Sequence, residues 1–550
     1  MNNLSNIKHI ILCLSLLVAA MQHCIAAPHA HKKAGQPAFC HSTEAVSNPD
    51  CGKTPTAGFD NQGILWIVYV DGEYIKLVSS SDFAESYSLA TTINSLPEKI
   101  YADGENRPKI AFGQENEIYI SWVKKTEGRF SGDIRFSRSI DNGKSFSEPI
   151  TVNDDNLLTS HRFETMAVSP DGRIHLTWLD KRDLVAAKKS GNKYTGAAIY
   201  HAVSSDKGLS FSKNSKIADS SCECCRISID FNQQGNAIAL WRHIYAGMIR
   251  DHAIINLDST ETVINRVTFD NWKVEGCPHH GPDMAIGTND ELHLAWFTGL
   301  PDRGGLFYGR YNQHNQKLEK QVTIDSSATA SRPQILVNNQ QILFVWKVFE
   351  QEQTKLQFKI SNDNGDNWSE TITLITTTAG SDHPLLFSHE NKIFISWWTE
   401  TKGFQLISVD EKIKSKTLSL IPFNKKSLVQ IEKQHENTEF VLVLWSLDCP
   451  PCFKELEYLS TLVTQKNSPK LVLVSTDNAE FTSEIISTLK EFGLENEENW
   501  LFDSIPESLR SSIDNNWFGE LPRSYLYAAD GKRSAHSGPL NHLILQNRFK

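Results

Sequence analysis

Two features are missing from most of these 550 residues, and each absence closes off a class of function. After the first 27 residues no segment is apolar for the roughly 20 residues a membrane-spanning helix needs. No long basic run occurs either and the formal charge is −10, so neither a membrane span in the mature chain nor a nucleic-acid partner is expected. Hydrophobic residues make up 40% and charged residues 22%, which fits a soluble globular protein. A chain this long exceeds one ordinary core, so two or more domains are expected.

The one apolar run is N-terminal. Lys8 and His9 precede Ile10 to Ala20, and small residues follow at Ala26 and Ala27. This is the pattern of a secretory signal peptide, residues 1–26, which places the mature chain in the periplasm or outside the cell. Cys24 lacks the small aliphatic residues that precede a lipid-modified cysteine. Cleavage removes Cys13 and Cys24 and leaves eight cysteines, an even number that permits disulfides in an oxidising compartment.

A pattern recurs from Thr56 onward: a short apolar strand, a polar turn, then an alternating strand ending in an aromatic. Pro108 to Trp122, Thr165 to Trp178, Arg226 to Trp241, Pro282 to Trp296, Pro333 to Trp346 and Pro384 to Trp397 are such copies, with an earlier one ending at Tyr69. Each alternates like a half-buried strand, and the self-similarity predicts a β-propeller of seven blades, or six with an incomplete closing set, over 54–412. Within three copies lies Ser-x-Asp-x-Gly-x-x-aromatic: Asp141 and Gly143, Asp206 and Gly208, Asp363 and Gly365. The Asp can bond turn amides, the Gly can take positive φ and the aromatic can pack beneath. These motifs match the Asp boxes of BNR repeats, and the region resembles the sialidase-like propellers. The family's Arg-Ile-Pro is absent, with Arg107-Pro108 and Arg332-Pro333 the nearest approximations, so sialidase chemistry is not expected.

Residues 413–427 are polar and read as a linker. A continuous apolar strand, Phe440 to Trp445, then leads into Cys449-Pro450-Pro451-Cys452 and a helical pattern, followed by a second apolar strand at Leu471 to Ser475. This β–α–β unit, with Leu521-Pro522 near the end, resembles the thioredoxin superfamily, closest to its exported TlpA/ResA-like branch, over 428–550. The resemblance implies that Cys449 attacks, Cys452 resolves, Pro522 is cis beside them and Trp445 precedes them. Pro450 and Pro451 offer no N–H to a thiolate, which favours a reductant. Val443 stands where thioredoxins often carry a buried acid, so the acceptor of the Cys452 proton is open.

A second cluster lies in the repeats. Cys222, Cys224 and Cys225 precede one strand copy; Cys277, His279 and His280 precede the next at the same phase, with His243 and His252 between. Equivalent positions on successive blades lie at one end of the channel, so the two segments are expected together. They serve as disulfide staples, as copper or zinc ligands, or as thiol partners of Cys449. Cys40 and Cys51, in the Cys/His-containing extension 27–53, are expected to form a local disulfide. The function expected from all this is an exported thiol–disulfide oxidoreductase, acting as reductant and needing no cofactor. Its partners would be protein thiols, including its own propeller cysteines, and a membrane or periplasmic electron donor. The alternatives are a copper- or zinc-binding protein and a glycan-binding or glycan-cleaving propeller.

Overall fold

The computed structural model describes residues 40, 47–338, 340–409, 420–463 and 468–548, so the expected signal peptide lies outside the described residues. The chain divides into two compact units, 1–408 and 409–550. No helix among the described residues is long and apolar enough to cross a membrane.

The first unit is built of antiparallel meanders. Four sheets hold four strands each, one holds three, and one of eight joins two consecutive meanders. The first strands of the successive meanders are Lys53–Phe59, Lys109–Phe112, His161–Val168, Ser228–Phe231, Asp283–Ile286, Ser331–Asn338 and Leu385–His389. Each touches the next, and the last touches the first, so they form a closed ring. The closing sheet is tied to the chain start by Trp398, whose Nε1 donates to the Asp50 carbonyl at 2.8 Å. Cys40 and Cys51 are disulfide-bonded, with Cα atoms 5.5 Å apart.

The second strand of each meander is not half-buried, as its alternation suggests, but buried on both faces. Leu65–Asp71, Ile118–Lys125 and Ile174–Asp180 are covered almost throughout. Neighbouring meanders cover both sides of each sheet, so even the polar positions Ser121, His175 and Thr177 are enclosed. Trp122, Trp178, Trp241, Trp296, Trp346 and Trp397 are all fully buried there. Their indole N–H groups find acceptors, as with Trp122 on Glu98 at 2.9 Å and Trp296 on Asp270 at 2.7 Å.

The three Ser-x-Asp-x-Gly turns close in one way. Ser139 Oγ donates to Asp141 at 2.8 Å and accepts the Gly143 amide at 2.9 Å, while Asp141 accepts the Ser145 amide at 2.9 Å. Gly143, Gly208 and Gly365 take φ of +76°, +77° and +83°. A fourth turn repeats these bonds without the glycine: Ser80 accepts the Ala84 amide at 2.8 Å, and Ala84 is held at φ +72°.

The second unit is a six-stranded mixed sheet. Its order is Ile421–Phe423, Glu498–Phe502, Lys470–Ser475, Phe440–Trp445, Arg523–Tyr527 and Arg533–Ser537, the last two antiparallel. The expected linker therefore ends early. Ile421–Phe423 is an edge strand paired parallel with Trp500 to Phe502, and a helix begins at Ser427. Three residues around Pro422, flanked by polar chain, are too short to show a strand period. One face of the sheet packs on Leu456, Leu459, Ile485 and Leu489, the other on Leu428, Ile431, Leu509 and Ile513.

The turn geometry makes a prediction. A methyl at Gly365 would collide with Tyr308 and sit in left-handed backbone. Gly365→Ala is expected to cost about 1–3 kcal/mol, whereas Ala84→Gly relieves the same strain and should not destabilise. Urea unfolding of the two variants decides it; equal losses would contradict this account of the turns.

Candidate functional site

The turn that follows strand Ser215–Ser221 carries Cys222, Cys224 and Cys225 into the interior. The Cys222 amide donates to the Arg242 carbonyl at 3.0 Å, which fixes the turn against the second strand of the following meander. The Cys222 and Cys224 sulfurs lie 3.7 Å apart, those of Cys222 and Cys225 3.2 Å apart, and all three fall within 4.8 Å of one another. Their residues are 0%, 5% and 2% exposed. Cys277 is exposed and lies near Cys224, so the fold brings the two cysteine segments together. All four are free thiols, not staples.

Two arginines lie beside this cluster. Arg242 is fully buried and spends its N–H groups on carbonyls: His280 at 3.0 Å, Phe297 at 2.8 Å and Arg250 at 3.3 Å. Its Nε has no hydrogen-bond partner. Arg250 bonds the Val274 carbonyl at 3.3 Å. Neither is paired with a carboxylate among the described residues. Hydrogen bonds from the Cys224 and Cys225 thiols, with the charges of Arg242 and Arg250, hold the Cys222 thiol well below its ordinary value against the effect of burial. Hydrogen bonding to Cys222, with burial, pushes the Cys225 thiol up to about 12.

The histidines expected as ligands lie outside that close set. His252 bonds Thr268 at 3.0 Å, and burial holds it neutral. His243 accepts the Trp241 indole N–H at 3.3 Å, and the His280 ring stacks on Phe297 at 4.1 Å. His279 is held at φ +56° with its carbonyl bonded by Arg332. Periodicity placed these residues in the right meander but could not say which face of the strand each occupied. A second possible ligand set, Asp155, His161 and Asp180, is an ion-pair network instead. Burial works against the charged ring, but Asp133, Asp155 and Asp180 outweigh it and raise His161 to about 10, and Arg182 bonds Asp180 at 2.9 Å.

Residues just ahead of or within the ring's first strands line a cavity of about 90 Å³, bounded by Glu105, Arg107, Lys109, Glu164, Arg226 and His383 among others. Arg226 and Arg332 lie 3.5 and 3.2 Å from Glu105, and Arg107 pairs with Asp382. Burial works to raise the Glu105 carboxyl, but Arg226 and Arg332 outweigh it and hold it low. Glu164 has no hydrogen-bond partner on either oxygen, lies 3.8 Å from Lys109, and is pushed up to about 7 by burial. Arg226 was not singled out from the sequence as a member of this cluster. The available signal was its place at the very start of a strand copy, next to the phase that Arg107 and Arg332 hold in theirs.

In the second unit, Cys449 and Cys452 form a disulfide at the start of helix Pro450–Val463, with Cα atoms 5.2 Å apart. The Cys452 amide donates to the Cys449 carbonyl at 2.8 Å. Trp445 is buried and the Leu521–Pro522 bond is cis. Glu455 is a buried acid on the same helix, where position 443 carries valine. It lies one turn beyond Cys452 on the buried face of the helix, accepts Ser524 Oγ at 3.1 Å and the Leu540 amide, and is raised to about 7 by burial. Its i+3 spacing from Cys452 was the sequence signal.

No family model matches the chain, and no curated protein matches it. Solved structures do. An ulvan lyase of a new polysaccharide lyase family is 11% identical, covering 68% of this chain and 93% of its own, with a TM-score of 0.44. A Hadza microbial sialidase is 12% identical, covering 62% and 75%, with a TM-score of 0.38. A secreted Mycobacterium tuberculosis disulfide oxidoreductase is 19% identical, covering 21% and 83%, with a TM-score of 0.18. The neighbours over the larger part are sialidase- and glycosidase-like β-propellers. The expected enzyme class, a thiol–disulfide oxidoreductase without sialidase chemistry, is corrected by these likenesses. The structures that match most of the chain are carbohydrate-active enzymes, and the oxidoreductase matches a fifth of it. At these identities the likenesses bear on fold and not on what this chain acts upon.

The cavity yields a pH prediction. Glu164 binds its proton more tightly folded than unfolded, so its contribution is full below about pH 4.5 and is lost as pH rises through about 7. The loss is at most about 3 kcal/mol. Glu164→Gln should flatten the decline in stability of the first unit between pH 5 and 8. An unchanged slope in unfolding measured across that range would contradict the assignment.

Proposed function

We propose that the protein is an exported soft-metal-binding protein that holds copper(I), or less favourably zinc, on Cys222, Cys224 and Cys225. The observation that carries this is the placement of three buried sulfurs beside two buried arginines that have no carboxylate. Buried cations need counter-charge, because an unpaired one costs several kcal/mol. Three thiolates on a monovalent ion leave a net charge of minus two, which Arg242 and Arg250 balance; with a divalent ion they leave minus one. Soft thiolates also favour copper(I) and zinc over hard cations. An ion about 2.3 Å from each sulfur sets the sulfurs about 3.8–4.0 Å apart. The Cys222–Cys224 spacing of 3.7 Å is close to that, and the Cys222–Cys225 spacing of 3.2 Å needs a small opening.

The ring of seven first strands supports a seven-bladed sialidase-like propeller as the scaffold, and the mixed sheet with its cis proline supports a thioredoxin-like second unit. A second reading, binding of an acidic glycan, is favoured by the convergence of Arg107, Arg226 and Arg332 on the axial cavity. Glu105 and Asp382 pair with these arginines, but two carboxylates meet three guanidinium groups, so one positive charge is left over for an acidic ligand.

Reduced full-length protein should take up one equivalent of copper(I) in competition with a chromophoric chelator. Replacing both Cys222 and Cys225 by Ser should weaken binding by about 100-fold or more, while the metal-free melting transition persists. Unchanged uptake by the double variant would overturn the assignment.

A further inference from the structure

The four cysteines are unequal in one respect that bears on how an ion reaches them. Cys222, Cys224 and Cys225 are buried, and Cys277 is exposed while lying near Cys224. The segment that carries Cys277 is anchored on both sides: upstream the Val274 amide donates to the Met248 carbonyl at 3.2 Å and the Val274 carbonyl accepts from Arg250 Nε at 3.3 Å. The His279 carbonyl is bonded by Arg332, the His280 carbonyl by Arg242, and the Pro282 carbonyl by Arg226 Nε at 3.0 Å. The Gly281 Cα lies so close to Arg226 that a Cβ there would meet its backbone nitrogen at 2.7 Å. Between these anchors, Glu275, Gly276 and Cys277 face solvent. An accessible thiol therefore stands on the solvent side of the buried set, near one of its members.

Resting on the soft-metal assignment, we propose that Cys277 is the transfer ligand through which a thiolate-bearing donor hands the ion to the buried site. The exchange is associative and moves no electrons. The Cys277 sulfur forms a bond to the ion as a donor sulfur releases it, and the Cys277 thiol proton passes to the departing donor thiolate. Cys224 then takes the ion from Cys277 and shares it with Cys222 and Cys225; the proton displaced from Cys224 returns to Cys277, and those displaced from the Cys222 and Cys225 thiols pass to the donor's remaining thiolates and to water. Release runs the same steps backwards. The partner is defined by this chemistry: a protein or small molecule that presents copper(I) on exposed thiolates and can approach the 275–277 segment. A donor that binds copper by nitrogen or oxygen alone lacks the leaving thiolate that accepts the proton.

The test is stopped-flow transfer from a copper(I)–glutathione complex to the reduced full chain, comparing the native protein with Cys277→Ser. Because Cys277 acts in both directions, the variant should take up and release copper at least about tenfold more slowly, with its final occupancy little changed. Since Cys277 is exposed, the variant is expected to fold, which its melting curve verifies. Equal rates in the two proteins, with copper bound in both, overturn the transfer role and leave the buried site standing. Absence of copper uptake by either protein overturns the metal assignment itself, and the transfer role with it.

Discussion

An antiparallel meander whose second strand is apolar on both faces cannot stand alone in water, and the first unit follows from that constraint. Leu65–Asp71 and its counterparts are covered on each side only because another meander packs against each face. Chaining that requirement around seven meanders closes the ring, with the last first-strand touching the first. Closure brings together segments far apart in sequence, 121 residues for Glu105 and Arg226 and 227 for Glu105 and Arg332. These residues, like Cys224 and Cys277, lie just ahead of or within first strands of the ring.

How the molecule treats buried charge separates its two clusters. Around the axial cavity each arginine has a carboxylate of the same chain: Glu105 for Arg226 and Arg332, Asp382 for Arg107. Two carboxylates are thus shared among three arginines there. Beside the cysteines, Arg242 and Arg250 bond carbonyl oxygens, which accept hydrogen bonds but carry no net charge. The thiols beside them can become anionic. A thiolate-bound cation would satisfy both the sulfurs and the arginines.

Much of this was legible in the residues, and the gaps have physical causes. The repeat, the polar turns and the placement of Cys222, Cys224, Cys225 and Cys277 at one phase are visible because strand alternation and left-handed glycines leave local marks. The turn at Ala84 was hidden because the glycine that marks the other three is absent there, although Ser80 and Asp82 bond as their counterparts do. Burial on both faces cannot be read from one strand, since it depends on neighbours supplied by distant sequence. The histidines near the cysteines look like ligands by proximity alone, and rotation of one residue along a strand is enough to turn them away. The edge strand Ile421–Phe423 carries too few residues for a period, and the buried Glu455 lies on a helix where attention to the strand at Val443 could not find it.

The central claim is that sulfur alone forms the inner shell of the bound ion. X-ray absorption at the copper edge of the copper-loaded full chain tests it most directly. Three sulfur neighbours at about 2.3 Å, with no nitrogen or oxygen in the inner shell, is the predicted result. A shell dominated by nitrogen or oxygen would place the ion on histidines or carboxylates elsewhere and contradict the account.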